Sequence, residues 1–401
     1  MVTGLGAVTA AGWGVPALAR AARSGRTAIG PFERFDHTAQ RTHVAGEVPA
    51  GIPSQMAKRA RWSRLSNSDR FALGAAFEAT DQANLAGPLG AEAGVFLGST
   101  TGGLFETEAL FGALLRNPAS RQPRSALATH VYSSPAETVA RALAVQGPVE
   151  TVSSACASGG LAIEHAMRAL RSGEVRVAIA GGTDGLCLTT YSGFNALRAL
   201  DPLPCRPFRV ERAGLSLGEG AAVLVLEQLS HARARGARPL AEVVGAGSSC
   251  DASHMTAPHP EGRGASAAIA AALRDGLSDA DAVDFLSAHG TGTPRNDSAE
   301  WLAIARVFGS RAETLPVEIT KAIFGHLLGA AGALQAVSAV LELEARAVHP
   351  APSGGAPDPN APARLVFDTS LPLNRARAAV TVSLGFGGAN AAILFARMDE
   401  G

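Results

Sequence analysis

Cys156 lies in a segment whose residue types suit a nucleophile, residues 152–160 (VSSACASGG), where a β-branched run gives way to a helical pattern. The N-terminus of a helix stabilises negative charge, so it favours the thiolate, the nucleophilic form of cysteine. The small neighbouring side chains leave room for a carbonyl carbon to reach the sulfur. The pattern therefore predicts a cysteine nucleophile, with a buried structural cysteine as the alternative.

A second segment, residues 287–300 (SAHGTGTPRNDSAE), carries His289 out of a predicted strand into a loop of glycines and threonines. A lone histidine is more often structural, but loops on a rigid scaffold carry binding and catalytic groups. Thr291 and Thr293 offer two hydroxyls to a polar ligand. The segment therefore predicts a site that includes His289.

Two more segments contain candidate groups. Residues 321–326 (KAIFGH) place Lys321 and His326 before an apolar stretch, where burying them is costly unless they are partnered. Residues 385–390 (GFGGAN) directly follow a predicted strand. Consecutive glycines let backbone N–H groups converge on an anion, as an oxyanion hole requires, although a plain tight turn has the same composition.

Short β-branched runs alternate with Ala/Leu-rich helical stretches, which is typical of an α/β layered fold. Eight runs are predicted as strands, at 95–97, 149–152, 175–179, 222–226, 241–244, 283–286, 317–319 and 380–384. Helical patterns lie between them, for example at 69–84, 161–171, 265–276 and 298–308.

Two helical segments, 157–167 and 327–340, are small or apolar nearly all the way round. A helix without a polar face is buried on all sides, here between sheets. Each follows a strand and a turn with reactive residues, which indicates two similar halves. We predict an N-terminal half at 1–238 with the cysteine and a C-terminal half at 239–401 with the histidines and the lysine. The seam lies at the basic segment 232–239.

Composition limits the function classes. The 401 residues hold 35 Lys plus Arg and 35 Asp plus Glu, so the net charge is zero, and no basic surface for nucleic acid is expected. No run of 18 uncharged apolar residues occurs, so no membrane span is expected. No CxxC pair occurs among the four cysteines, so neither a metal site nor a disulfide framework is predicted. A cytoplasmic location is expected.

Together, the ordered set Cys156, His289-Gly-Thr-Gly-Thr, Lys321 and His326 resembles the elongating β-ketoacyl-acyl-carrier-protein synthases of the thiolase superfamily. Further resembling segments are residues 2–6, 206–208, 218–221, 254–256 and 385–388, so the resemblance spans nearly the whole chain. It implies a thiolase-like α/β fold of two similar halves, in five α-β-α-β-α layers with two buried central helices. It also implies an obligate dimer.

The resemblance implies a decarboxylative Claisen condensation that lengthens a chain by two carbons. Cys156 would hold the acyl group, and His289 and His326 would favour decarboxylation of malonyl-carrier protein. Lys321 and Glu300 would form a supporting ion pair. The backbone N–H groups of Cys156 and Phe386 would form the oxyanion hole, and Phe386 would gate the acyl site.

The resemblance also assigns the substrate and the partners. Thr291 and Thr293 would bind the phosphopantetheine arm of the acyl carrier protein, and no metal or organic cofactor is implied. The partner subunit is either a second copy or a chain-length-factor-like subunit. Arg295-Asn296 before Asp297 resembles the ketosynthases of type II polyketide systems, so a polyketide or polyene pathway is favoured over fatty-acid elongation.

Four alternative functions fit the sequence less well. A non-catalytic chain-length-factor-like subunit would lack Cys156. A thiolase or starter-type synthase uses Asn or a second Cys where this chain has His289 and His326. A nucleotide-binding oxidoreductase would need the glycine motif GxGxxG. Here Gly4-Leu5-Gly6 is followed by glycine only at Gly12, so the motif is absent. A cysteine hydrolase leaves Lys321 and the second histidine unexplained.

Overall fold

The computed structural model describes residues 1–119, 124–352, 354–367 and 369–398. Its strands are β1 (Val2–Thr9), β2 (Gly12–Trp13), β3 (Gly30–Pro31), β4 (Val44–Ala45), β5 (Ala93–Gly98), β6 (Val149–Val152), β7 (Val177–Asp184), β8 (Gly220–Glu227), β9 (Ala241–Cys250), β10 (Val283–Ser287), β11 (Pro316–Glu318), β12 (Ala347–Val348), β13 (Arg364–Leu365), β14 (Leu371–Pro372), β15 (Ala378–Leu384) and β16 (Ala389–Arg397).

The α-helices lie between these strands and pack on their faces. They are α1 (Val15–Ser24), α2 (Asn67–Gln82), α3 (Leu104–Arg116), α4 (Ser134–Ala142), α5 (Ser158–Ser172), α6 (Leu188–Ala196), α7 (Leu229–Ala234), α8 (Arg263–Asp275), α9 (Pro294–Phe308), α10 (Lys321–Phe324) and α11 (Ala331–Ala345).

The two halves repeat one sheet topology. The first half runs β1-β8-β7-β5-β6 and the second runs β9-β16-β15-β10-β11. If the five strands of each half are numbered along the chain, both orders read 1-5-4-2-3. The two sheets are joined where Val2 of β1 pairs with Ala241 of β9. The prediction of two similar halves in a thiolase-like layered fold is confirmed, and the boundary at 238/239, between α7 and β9, stays a prediction.

The eight predicted strands all occur, but the first and last long strands of the sheets, β1 and β16, lie outside the predicted set. Both are buried almost throughout. Gly4 and Gly6 interrupt the apolar pattern of β1, because each is packed against a backbone carbonyl of α2 that leaves no space for a Cβ. The run in β16 is rich in alanine, which is a weak strand former.

The two apolar segments form the central layer. Each helix, α5 and α11, follows the third strand of its half, and each is covered by sheet on both sides. Residues Leu328–Ala345 are long and apolar enough to cross a membrane, but most of this segment is buried inside the fold, as expected of a core helix. The apolar surface of α11 therefore packs against the two sheets.

The central helices cross at glycines. A Cβ on Gly159 of α5 would stand 2.8 Å from the carbonyl oxygen of Gly329, and a Cβ on Gly332 of α11 would stand 2.8 Å from the backbone nitrogen of Gly160. Only residues without a side chain allow the two backbones to approach this closely. The crossing lies at the N-terminal ends of both helices, beside Cys156 and His326.

We expect Gly332→Ala to destabilise the protein by about 1–3 kcal/mol, because the added methyl group overpacks the helix crossing. Thermal unfolding measures the loss. Gly193→Ala is the matched control, since Gly193 is exposed in α6 and a Cβ there meets no atom within 4 Å. A melting temperature for Gly332→Ala equal to that of the control would show that the crossing tolerates a side chain.

Candidate active site

Cys156 lies in a sharp turn between the end of β6 and the start of α5. Ala155 before it has a φ of 46°, a left-handed conformation that is costly for a residue with a side chain. The hydroxyl of Ser158 accepts a hydrogen bond from the Ser154 N–H at 2.8 Å and donates one to the Ala155 carbonyl at 2.6 Å. These bonds hold the turn and place the buried Cys156 thiol at the helix N-terminus.

Burial dominates the electrostatics of the thiol. It raises the pKa of Cys156 to about 11, although Lys321 and the backbone N–H of Phe386 act in the opposite direction. Burial therefore opposes the preference of the helix N-terminus for the thiolate, and a pKa of about 11 makes the sulfur a thiol at neutral pH in the free protein.

His289 follows β10, and a carboxylate of α9 holds the loop that carries it. The two oxygens of Glu300 accept hydrogen bonds from the backbone N–H groups of His289 at 2.6 Å and Gly290 at 2.8 Å. Asn296, one turn earlier on α9, donates to the same carboxylate at 3.3 Å. Burial raises the pKa of Glu300 to about 7. The Nδ1 atom of His289 is buried and has no hydrogen-bond partner.

His326 is oriented by the backbone. Its Nδ1 accepts a hydrogen bond from the Leu328 N–H at 3.1 Å, which places the ring proton on Nε2. The rings of His289 and His326 lie 5.4 Å apart at an angle of 85°. Burial, reinforced by the nearby Lys321 charge, lowers the pKa of both histidines well below the usual 6.5. Both are neutral N–H donors at neutral pH.

The predicted ion pair between Lys321 and Glu300 is not a direct contact. Both side chains are described, and no nitrogen of Lys321 lies within 4 Å of a Glu300 oxygen. Glu300 instead binds backbone N–H groups, and Lys321 Nζ lies 3.4 Å from the amide oxygen of Gln335 on α11. The two charges act on each other through space, and burial lowers the pKa of Lys321 to about 8.

These groups border one cavity of about 410 Å³. Thr291 and Thr293 line it, and their hydroxyls are 2.9 Å apart. Phe386 is half-buried at its edge and stacks on Phe194, with 5.5 Å between ring centroids. Within the described ranges, no cluster of three or more His, Cys, Asp or Glu side chains could hold a metal ion. All the predicted site residues except Lys321 and Glu300 reach the cavity, and these two lie directly behind the histidines.

Three kinds of site residue were not predicted. Asp184, at the end of β7, accepts hydrogen bonds from residues after β5 and from the Gly329 N–H at 2.7 Å, so it fixes the start of the central helix α11. Arg198 and Arg295 are exposed and line the cavity. Phe194 lies against Phe386. A polar residue immediately after a buried strand, as in Gly181-Gly-Thr-Asp184, could have indicated Asp184 from sequence.

Comparisons with known proteins match most of the chain. The family model of the β-ketoacyl synthase N-terminal domain matches residues 1–232, and that of the C-terminal domain matches residues 240–354. The chain is 37% identical to 3-oxoacyl-acyl-carrier-protein synthase 2 of Synechocystis sp., an alignment that covers 98% of this chain and 97% of the relative.

Two solved structures are similar throughout. The ishigamide ketosynthase/chain length factor matches with a TM-score of 0.93 and 32% identity, covering 99% of this chain and 98% of that one. A type II PKS acyl carrier protein in complex with its ketosynthase bound to the hexaketide matches with a TM-score of 0.88 and 28% identity, covering the same shares of the two chains.

We predict that Lys321→Met slows alkylation of Cys156 by iodoacetamide about tenfold at pH 7, the equivalent of one pKa unit. The Lys321 cation lowers the pKa of the thiol, and Lys321 itself loses its proton as the pH rises through about 8. The difference from wild type should therefore be present below pH 8 and fade above it. Peptide mass spectrometry separates Cys156 from the exposed Cys250. Equal rates at pH 7 would contradict the electrostatic role of Lys321.

Proposed function

Because the chain belongs to the β-ketoacyl synthase family, whose reaction is a decarboxylative Claisen condensation, we propose that Cys156 carries the growing acyl chain while His289 and His326 act on the malonyl unit. The protein is an acyltransferase, a 3-oxoacyl-acyl-carrier-protein synthase. One observation supports the residue roles most: a single cavity contains the thiol and both imidazoles, at the N-terminal ends of the two central helices.

In the first step the sulfur of Cys156 attacks the carbonyl carbon of an acyl thioester. A C–S bond forms to Cys156, the bond to the pantetheine sulfur breaks, and the thiol proton passes to the leaving thiolate. The backbone N–H groups of Cys156 and Phe386 both lie near the sulfur, where they lower its pKa. They are placed to stabilise the oxyanion of the tetrahedral intermediate, and Phe386 is placed to gate the acyl side of the cavity.

In the second step malonyl-carrier protein loses CO₂, and the electron pair of the broken C–C bond becomes an enolate. The neutral histidines donate N–H groups toward the thioester oxygen on which that charge develops. Because both histidines are buried, these hydrogen bonds are stronger than in solution. The enolate carbon then attacks the acyl-cysteine, the C–S bond breaks, and the sulfur of Cys156 leaves as a thiolate that takes up a proton from solvent.

The remaining contacts point to a carrier-bound substrate. Thr291 and Thr293 offer hydroxyls along the cavity wall to the amides of a phosphopantetheine arm, and no other cofactor enters the reaction. Arg198 and Arg295 are exposed at the cavity and would attract an acidic carrier protein. The structural relative described as a complex of a ketosynthase with its acyl carrier protein supports this partner.

A dimer fits the surface of the first half. Strand β6 is an edge strand, with no hydrogen-bonded neighbour on its outer side among the described strands. Helix α4 and the 3₁₀ turn Arg124–Thr129 connect it to α3, and large apolar side chains are exposed along this face: Phe111, Leu115, Tyr132 and Val149. An unpaired edge beside exposed apolar groups is a typical interface.

For the partner subunit and the pathway, the proposal is a heterodimer with a chain-length-factor-like subunit in a polyketide or polyene pathway. The Arg295-Asn296 pair and the ishigamide and type II PKS structural relatives support it. A cytoplasmic location is part of the proposal. Its support is that all four cysteines are free and that the one long apolar helix is buried in the core.

The first experiment measures the intact mass of the purified protein, alone and co-expressed with a candidate partner, after incubation with a panel of acyl carrier proteins. We expect a mass gain equal to one acyl group, lost in Cys156→Ala and kept in Cys250→Ala. The accepted chains distinguish polyketide or polyene starters from saturated fatty acids. No acyl transfer from any carrier, with or without a partner, would contradict the catalytic assignment.

Glu300→Gln tests how the histidine loop is held. The amide group of Gln presents an N–H₂ to one of the two backbone N–H groups, so a charged hydrogen bond of about 1.5–3 kcal/mol is lost. We expect decarboxylation of malonyl-carrier protein, measured as CO₂ release, to fall roughly 10- to 100-fold, while acyl transfer to Cys156 changes much less. The exposed Glu313→Gln is the control. Equal losses in both half-reactions would instead indicate a general folding defect.

A further inference from the structure

A second buried charged cluster lies behind the catalytic residues. His349, after β12, lies between two carboxylates: its Nδ1 is 2.7 Å from Glu342 and its Nε2 is 3.1 Å from Glu318. All three side chains are buried. The contact with Glu318 is out of line with the ring N–H, so the attraction there is Coulombic rather than a directed hydrogen bond. None of the three residues borders the active-site cavity.

The cluster is connected to Lys321 by hydrogen bonds. The Glu318 carboxylate accepts from the Ser287 hydroxyl. The amide of Gln335 donates to the carbonyl oxygens of Ser287 at 3.0 Å and Ala288 at 2.7 Å, and its oxygen accepts from Lys321. Ser287 and Ala288 immediately precede His289. A continuous polar path therefore runs from His349 to the lysine behind both catalytic histidines.

The cluster also links the chain segments that carry the site. Glu318 ends β11, three residues before Lys321, and it is paired in register with Ser287 of β10. Glu342 lies on α11, the helix that follows His326, and its carboxylate also accepts from the His349 N–H at 2.9 Å. His349 therefore ties the strand that leads to Lys321 to the helix that follows His326.

Charge balance explains why the three groups tolerate burial. Burial alone would lower the pKa of His349, but the carboxylates of Glu342 and Glu318 outweigh it and raise the value to about 10, so the ring is an imidazolium at neutral pH. Without that cation, two buried carboxylates would face each other, which is strongly unfavourable.

We propose that Glu318 is a positioning residue for Lys321: its carboxylate stabilises the buried ammonium group of Lys321, and the imidazolium of His349 lets Glu318 stay buried next to Glu342. This inference rests on the proposed function in one respect: it gives Lys321 a catalytic context. Glu318 does not touch the cavity, so it acts through Lys321 and through the register of β10 and β11.

The surroundings of Lys321 identify the other charges that could act on it. Glu300 approaches from α9, Glu318 from β11, and the thiols of Cys156 and Cys205 from the turn before α5 and from the loop before β8. The cationic forms of His289 and His326 would oppose it. Glu342 lies seven residues beyond Gln335 on α11, about 10 Å along the helix axis, so its direct effect on Lys321 is smaller.

Two double variants separate the effect of where the buried carboxylate lies from the effect of its charge. As ionised groups, two carboxylates and one imidazolium carry a net charge of −1. His349→Gln/Glu342→Gln keeps Glu318 as the single charge, and His349→Gln/Glu318→Gln keeps Glu342. Burial raises the pKa of Glu342 to about 7 even beside His349, so the two variants bury the same net charge as wild type in the upper part of the pH range, where the remaining carboxylate is ionised. Both avoid the two unpaired carboxylates of His349→Gln alone. They differ in whether the remaining charge faces Lys321.

The readout is the rate of Cys156 alkylation by iodoacetamide between pH 6 and 9, with thermal unfolding measured in parallel. The variant that keeps Glu318 should react at least as fast as wild type at pH 7. The variant that keeps Glu342 should react about three- to tenfold more slowly, because Lys321 then loses its proton at a lower pH and no longer supports the thiolate. In a Lys321→Met background this difference should disappear.

Equal alkylation profiles for the two double variants would overturn the proposal and leave the cluster as a structural element. So would a difference that persists in the Lys321→Met background. Acyl transfer to the wild-type protein is measured in the same series. A protein without ketosynthase activity would fail that assay, whereas the alkylation series would still report on the coupling between Glu318 and Lys321.

Discussion

The backbone contact between the two central helices is the constraint on which the active site depends. Cys156 and His326 belong to different halves of the chain and stand at the N-terminal ends of α5 and α11. They reach one cavity because Gly159 and Gly332 let the helix ends approach without intervening side chains. A larger residue at either glycine would separate the nucleophile from the histidine. The repeated sheet topology supports this arrangement, since each helix follows the third strand of its half.

The site side chains next to this crossing are buried, and their desolvation sets the protonation states. It raises the pKa of Cys156 and lowers those of His289 and His326, so the resting site holds a thiol and two neutral imidazoles. Neutral N–H donors suit a reaction in which charge appears on a carbonyl oxygen and then disappears again. In such a site the direction of each donor matters more than its formal charge, because the donors are fixed before the charge develops. Glu300 contributes to this alignment, because its hydrogen bonds to the backbone N–H groups hold the loop that carries His289.

The α/β layered class and the two similar halves could be predicted from local sequence patterns, and both are confirmed. The thiolase-like fold and the roles of the site residues were implied by the family resemblance, and those roles stay predictions. Cys156, His289 and His326 each follow a strand pattern, and the two apolar helices have no polar face. The relation between Lys321 and Glu300 could not be predicted, because it depends on side-chain direction across three elements. Strand β1 was missed because the glycines that admit α2 break its apolar pattern. Asp184 has a signal of its own, a polar residue at the end of a buried strand, but its partners could not be predicted because they are hydroxyls and backbone N–H groups far away in the sequence.

The buried charges behind the site, like the site itself, depend on contacts between different elements of the fold. Each is stabilised by groups from another element: Lys321 by Gln335, Glu318 by Ser287, and His349 by two carboxylates. An isolated ion of this kind would favour unfolding, so each group is held to the geometry of its neighbours. Because the packing of strands and helices fixes the positions of these charges, it also fixes the electrostatic field at the two histidines. These contacts join the ends of β10 and β11 to α11, so the segments on either side of the two histidines are held in one arrangement.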